Sequence, residues 1–175
     1  MWIQLPKKTV IQLYRHCREA ERSVDAALWT KWCDLTNYYA EERTAPIRQT
    51  IEALNRGLPD GRGCSFGCTR DELTGAVPTP GLFRVLFGKW LGGVKTNWPF
   101  LPQEVHFFGS TLDRLLQYLS VPEKPSQDEL IALRMDLHAC AYVIECRCYG
   151  LPERAELQRI EHFNQSSPVA VMKMM

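Results

Sequence analysis

Apolar residues recur at helical spacing through the first quarter of the chain, between Pro6 and Arg43. After Pro6 this run contains neither proline nor glycine, and its apolar positions follow steps of three and four. The first row comprises Val10, Leu13, Cys17, Ala20, Val24 and Ala27, and a neighbouring row continues with Leu28, Trp32, Leu35 and Tyr39. The shift between the rows disfavours a long regular coiled coil. The run therefore predicts a helix that packs inside one fold.

The length of this run predicts either a break or an overhang. As one straight helix it would measure about 57 Å at roughly 1.5 Å per residue. A compact domain of this size has a diameter of only about 40 Å. Polar side chains at 23–25 and at 36–37 compete for backbone hydrogen bonds. We expect a break at one of these positions, or a projecting end that meets a partner.

Caps and breakers place two further helices after this run. Thr44 and Pro46 predict the start of the second helix, and Gly57 predicts its end as a left-handed cap. The Gly-rich stretch 58–67 predicts a loop. A Thr-x-x-Glu capping box at Thr69 predicts a short helix behind that loop.

The centre of the chain alternates between helical and irregular patterns. A helix over residues 80–91 is apolar on nearly every side, which is typical of a core helix. Pro99 and Pro102 exclude a regular helix behind it. Residues 103–108 predict a short extended piece, and residues 110–119 predict another helix.

The last long helix has the clearest signals. Ser126 and Glu129 form a capping box with an acidic first turn, and Gly150 ends the helix. Its inner row comprises Leu130, Leu133, Leu137, Ala141, Ile144 and Cys148, and Ile131, Cys140 and Val143 widen that row. A terminal helix over 152–163 and a flexible C-terminal tail over 165–175 are predicted to follow.

These elements predict an all-α fold, a single-domain bundle of about six helices with a long N-terminal helix. Its Gly/Pro/Trp-rich centre is predicted to be irregular from Gly57 to Pro80 and from Gly92 to Gly109. The chain has 175 residues, of which 45% are hydrophobic and 23% are charged, so it is long enough for one sizeable core. We predict one domain over residues 1–164.

Charge and cysteine content favour a cytoplasmic location. The 21 basic and 20 acidic residues give a net charge of +1, so no overall field attracts nucleic acid or anionic lipid. The opening residues lack the pattern of a signal peptide, and no apolar run approaches the roughly 20 residues that span a bilayer. Seven cysteines, an odd number, are typical of reduced thiols. We therefore expect a cytoplasmic protein that does not bind membranes.

Two loop cysteines are the candidates for a metal site. Cys64 and Cys68 lie four residues apart and would supply half of the ligands of a structural zinc ion. The usual zinc signature has a second tight pair of ligands, and the sequence contains none. We therefore expect no cofactor.

Two histidines lie beside cysteines, but neither pair is placed for catalysis. On a helix the side chains of His16 and Cys17 diverge, and those of His138 and Cys140 diverge further. We expect His16 at the surface and Cys140 in the core. The sequence also lacks the phosphate-loop, zinc-helix and nucleophile-elbow motifs. The prediction is that the protein is not an enzyme.

Aromatic residues suggest a partner-binding surface. The chain has five Trp, six Tyr and seven Phe, and binding hot spots favour Trp and Tyr. The candidate partner-binding residues are Trp29, Trp32, Tyr38, Tyr39, Trp90, Trp98 and Phe100. We expect a non-enzymatic protein–protein interaction module, acting as an adaptor or stoichiometric inhibitor of a larger assembly. We expect such a module to be encoded by a phage or a mobile element.

Nucleic-acid binding is the alternative, because basic residues alternate with aromatic residues in two segments. The basic candidates are Lys7, Lys8, Arg15, Arg18, Arg22, Arg84, Lys89 and Lys95. Glu19 and Glu21 dilute the positive charge of the first segment.

Overall fold

Helices form most of the part of the chain that the structure describes. This computed structural model describes residues 1–24, 28–31, 40–59, 67–77, 96–121 and 123–148. Its longer elements are β1 (Ile3–Pro6), α1 (Lys7–Ser23), α2 (Ala40–Gly57), α3 (Arg70–Ala76), β2 (Asn97–Phe100), α4 (Pro102–Ser120) and α5 (Gln127–Arg147). Residues 28–31 add one further helical turn. The predicted all-α fold of about six helices is confirmed.

The last long helix, α5, is the centre of the bundle. It packs against α1, α3 and α4, while α2 packs against α1 and α4. The predicted inner row of α5 is entirely buried. The core residues that α1 and α4 contribute are Val10, Leu13, Tyr14, Cys17, Ala20, Val105, Phe108, Leu112, Leu115 and Leu119. Each large apolar side chain that is buried in this way stabilises the fold by about 1.5–3 kcal/mol.

The first helix ends at one of the two positions where the sequence favours a break. α1 stops at Ser23, and Val24 has left the helical conformation with φ −84° and ψ 9°. The Ser23 hydroxyl donates a hydrogen bond of 2.9 Å to the Glu19 carbonyl, as expected of a polar side chain that competes for backbone groups. The second position, 36–37, lies outside the described residues.

The predicted start of the second helix is wrong. α2 begins at Ala40, so Pro46 lies inside the helix instead of in its first turn. Proline inside a helix removes one backbone hydrogen bond. Burial of Ile47 and Leu54 favours the helix in spite of this loss. The Thr50 hydroxyl also donates to the Pro46 carbonyl over 3.0 Å.

The second helix ends at Gly57 as predicted, but for another reason. Gly57 is the last helical residue and does not adopt the left-handed conformation. A Cβ atom at this position would lie 3.1 Å from Cγ2 of Ile3 and 3.5 Å from Cδ2 of Leu5. The close approach of β1 to the end of α2 therefore favours glycine here.

A two-stranded sheet, which the sequence did not predict, joins the N-terminus to the centre of the chain. β1 and β2 are antiparallel, with Ile3 opposite Phe100 and Leu5 opposite Trp98. All four of these side chains are buried. The Lys7 amide donates to the Thr96 carbonyl over 2.9 Å and extends the ladder by one bond.

The predicted extended piece over 103–108 is wrong, because these residues are helical. α4 begins at Pro102, well before the predicted start at Ser110. Proline is favoured at the first helical position. The Glu104 carboxylate also accepts a hydrogen bond from the Leu101 amide over 2.9 Å. The irregular centre is therefore shorter than predicted.

The remaining predicted helix boundaries are either confirmed or lie outside the described residues. Capping boxes at Thr69 and Ser126 begin α3 and α5 as predicted. The predicted helices over 80–91 and 152–163 and the tail over 165–175 lie outside the described residues. None of the described helices is both long and apolar enough to cross a bilayer.

Candidate functional site

The face of α5 that points away from the core carries three exposed apolar side chains. Ile131 is 49% exposed, Met135 is 47% exposed and Tyr142 is 36% exposed. Steps of four and seven place them on one side of the helix. Single exposed apolar residues are common, but three in line over three turns form a patch. We call these three residues the α5 outer face. The prediction that Ile131 widens the buried inner row is wrong.

A groove of about 650 Å³ lies beside the α5 outer face. The lining residues are Glu21, Arg70, Asp71, Thr74, Ile131, Arg134, Met135, His138, Ala139 and Tyr142. They come from α5, from α3 and from the last turn of α1. This volume falls in the range of about 300–1,000 Å³ that is typical of small-molecule pockets.

A polar network joins α1 to α5 and ends at the groove. Tyr14 Oη donates a hydrogen bond of 2.5 Å to Oε1 of Glu145, and Arg18 Nε donates one of 3.0 Å to Tyr14 Oη. Arg18 also pairs with Glu145 at 2.5 Å and with Glu21 at 3.1 Å. The other Glu21 oxygen lies 2.7 Å from Nδ1 of His138. Burial and the Glu145 contact raise the pKa of Tyr14 to about 12.

A shared carboxylate fixes the opposite wall of the groove. Asp136 on α5 accepts a hydrogen bond of 3.0 Å from Arg70 on α3 and a second one from Arg114 on α4. Only 14% of the Asp136 side chain is exposed, whereas the side chains of Arg70 and Arg114 are about one third exposed. The seven-residue helix α3 is therefore held against α5 by charge as well as by packing.

Two charged side chains of the groove lack an ion-pair partner among the residues that the structure describes. Arg134 is exposed on α5 and Asp71 is exposed in the first turn of α3. No described side chain of opposite charge lies within ion-pair distance of either. The groove therefore offers one cation and one anion to a bound molecule.

Burial removes three predicted partner-binding residues from the surface. Trp29, Trp98 and Phe100 are almost completely buried, which corrects the expectation for them. Pairing of β2 with β1 directs Trp98 and Phe100 inward, and the rings of Phe100 and Phe108 meet edge to face at 5.5 Å. The other candidates, Trp32, Tyr38, Tyr39 and Trp90, lie outside the described residues.

The basic residues proposed for nucleic-acid binding share part of one face of α1. Lys8, Arg15 and Arg22 follow one another at steps of seven, and Lys8 and Arg22 are exposed. Lys7 is half-buried at the start of the helix. Arg18 pairs with two carboxylates, which reduces the positive charge of this face. The candidates Arg84, Lys89 and Lys95 lie outside the described residues.

His16 is buried, so its predicted surface position is wrong. It lies between α1 and α2, where Nε2 is 3.2 Å from Oγ1 of Thr50. The Thr50 hydroxyl hydrogen points to the Pro46 carbonyl, so the imidazole donates to Thr50. Burial and the nearby charge of Arg15 lower the pKa of His16 to about 4. His16 is therefore neutral and structural.

The described cysteines are placed in or against the core. Cys140 is buried, as predicted, and its burial and the adjacent Cys17 thiol raise its pKa well above the ordinary value. The Cys68 thiol is half-buried and donates to the Gln103 carbonyl over 3.9 Å. No three metal-ligating side chains converge within the described ranges. Cys64 lies outside those ranges, so the zinc question stays a prediction.

Sequence reasoning missed the α5 outer face, although a signal for it was present. Met135 and Tyr142 are out of phase with the inner row, which predicts that they point away from the core. Ile131 has the same phase as these two residues. Three apolar residues in phase on the outer side of a helix indicate a contact surface.

No family model matches this sequence, and no curated protein or solved structure matches it.

Proposed function

We propose that this protein is a non-enzymatic interaction module that binds another protein through the α5 outer face and the groove beside it. The observation that carries the proposal is the exposed apolar line of Ile131, Met135 and Tyr142 along one wall of that groove. Exposed apolar patches rimmed by polar residues are typical of protein interaction sites. Stoichiometric binding of this kind suits an adaptor or an inhibitor of a larger assembly.

The energy available from the α5 outer face indicates that a partner must also contact α3. Burying the exposed parts of these three side chains contributes about 3–4 kcal/mol in total to the free energy of binding. Association costs at least about 4 kcal/mol in lost translational and rotational freedom. The second wall of the groove, formed by Arg70, Asp71 and Thr74, adds the further contacts that stable binding needs.

Nucleic-acid binding through α1 is the second hypothesis. The single-face arrangement of Lys8, Arg15 and Arg22 favours it. The two carboxylates that pair with Arg18 oppose it, because they neutralise part of the same surface. The net charge of +1 also gives little long-range attraction to phosphate.

A pair of double variants tests the proposal. Changing Ile131→Glu and Met135→Glu places two charges on the α5 outer face without altering the buried row. The matched control, Ser110→Glu with Gln117→Glu, adds the same charge to exposed positions of α4. Affinity capture from the native host, quantified by mass spectrometry, should recover at least about tenfold less partner with the first variant, since about 1.4 kcal/mol corresponds to a factor of ten.

Thermal unfolding of both variants shows whether the fold is retained. The control should capture as much partner as the unmodified protein. Equal recovery by both variants, with unchanged unfolding temperatures, would show that the partner binds elsewhere.

A further inference from the structure

We infer that the partner element that occupies the groove is an amphipathic α-helix with a carboxylate placed opposite Arg134. The inference rests on the proposed function and adds the form and the charge of the partner. It follows from the backbone chemistry of the groove walls, from the length of the α5 outer face and from the charges that the groove leaves unpaired.

The groove walls favour a helix over an extended peptide. Every lining residue in the described part of the chain belongs to α1, α3 or α5, whose backbone groups pair within their own helices. The two described strands, β1 and β2, do not contribute to the lining. An extended peptide would find no strand edge there and would leave its own amides and carbonyls unpaired, at about 1–3 kcal/mol for each one that is buried. A helix pairs these groups internally.

The length of the α5 outer face fits a short helical segment. Ile131 and Tyr142 are eleven residues apart, which corresponds to about 16 Å along the helix axis. A partner helix of about 11–14 residues covers this length. Apolar side chains at steps of four and three would meet Ile131, Met135 and Tyr142 at the usual interaxial distance of about 8–10 Å.

The charges of the groove indicate an acidic residue on that helix. Glu21 already accepts from Arg18 and His138, and Arg70 already donates to Asp136. Arg134 is the exposed cation for which the described chain supplies no carboxylate. A carboxylate on the partner would pair with it and fix the register of the helix.

A second copy of this chain fits the groove less well. Its exposed carboxylate in the groove is Asp71 on α3, while Glu145 on its α5 is already engaged by Tyr14 and Arg18. The α5 outer face is about 16 Å long and about 10 Å wide, so its area is roughly 160 Å². Standard stable interfaces bury about 800 Å² on each partner. The α5 outer face by itself is therefore too small for a stable dimer of this chain.

Selection from a library of helices tests the inference. The full-length protein is immobilised and probed with displayed 16-residue helical peptides, in which apolar and charged positions are randomised. Sequencing of the selected peptides should show apolar residues at steps of four and three. At one flanking position, Glu or Asp should be at least about fivefold more frequent than Lys or Arg. Selection against Arg134→Glu should reverse this charge preference. The matched control Arg48→Glu, at an exposed position of α2 outside the groove, should leave it unchanged.

Three results would overturn the inference. The first is that the selection enriches no helix, and the second is that Arg134→Glu leaves the charge preference unchanged. The third is that sedimentation shows a dimer of this chain which Ile131→Glu converts to monomers. If any of these is found while partner capture still depends on Ile131 and Met135, the proposed function stands and the helical partner does not. If capture does not depend on these two residues, the proposed function itself fails.

Discussion

At the scale of single residues, His16 shows how burial decides the role of a titratable group. The sequence prediction of a surface side chain is wrong, because the imidazole fills the contact between α1 and α2 and donates to Thr50. Its phase on α1 lies beside the buried residues Leu13 and Ala20, which was the available signal.

The neutral state of His16 predicts a specific loss of stability in acid. Its pKa is about 4 in the folded protein and 6.5 in the unfolded chain, so between these values only the unfolded state takes up the proton. The free energy of unfolding should therefore fall by about 3 kcal/mol as the pH drops from 6.5 to 4. The stabilisation that depends on neutral His16 is fully present above pH 6.5.

Urea denaturation between pH 7 and pH 4 measures this effect. The stability difference between the unmodified protein and His16→Gln should move by about 3 kcal/mol in favour of the variant over this range. Gln117→Ala, at an exposed position of α4, is the control and should follow the unmodified protein. Parallel curves for the protein and His16→Gln would contradict the assignment of a buried neutral imidazole.

At the scale of elements, the sequence predicts local signals well and distant pairing poorly. The capping boxes at Thr69 and Ser126 involve residues three apart, and both helices begin where these boxes predict. The strand around Trp98 depends on pairing with β1, more than ninety residues earlier, which no local pattern contains. The helical start at Pro102 was missed because two nearby prolines were interpreted as breakers. One of them instead occupies a first helical turn.

The contact of α3 with α5 should depend strongly on Asp136. In Asp136→Asn the charge is lost, and the guanidinium groups of Arg70 and Arg114 repel each other without a carboxylate between them. Hydrogen bonds to charged groups contribute about 1.5–3 kcal/mol, so we expect the free energy of unfolding to fall by about 2 kcal/mol. Urea denaturation at neutral pH measures it.

Asp113→Asn provides the comparison for this variant. Asp113 is exposed on α4, and its substitution should change the free energy of unfolding by no more than about 0.5 kcal/mol. Equal small effects of both substitutions would show that the shared carboxylate does not hold α3 in place.

At the scale of the whole molecule, α5 organises both the core and the candidate site. Its inner row forms the centre of the bundle, and its outer face stays exposed. Its carboxylates Glu145 and Asp136 form ion pairs with α1, α3 and α4. The sequence predicts the start and the inner row of this helix, while its predicted end at Gly150 lies outside the described residues. It does not predict which apolar side chains remain uncovered, because that depends on how many neighbouring helices pack around α5.

The central claim is that the α5 outer face contacts the partner, and oxidation of Met135 tests it most directly. Met135 is 47% exposed in the groove, and Met1 is 79% exposed outside it and serves as the internal reference. Hydrogen peroxide converts exposed methionine to the sulfoxide, which mass spectrometry measures for each residue. In the isolated complex with the captured partner, Met135 should oxidise at least about fivefold more slowly than in the free protein, with Met1 unchanged. An unchanged rate at Met135 in the saturated complex would contradict the claim.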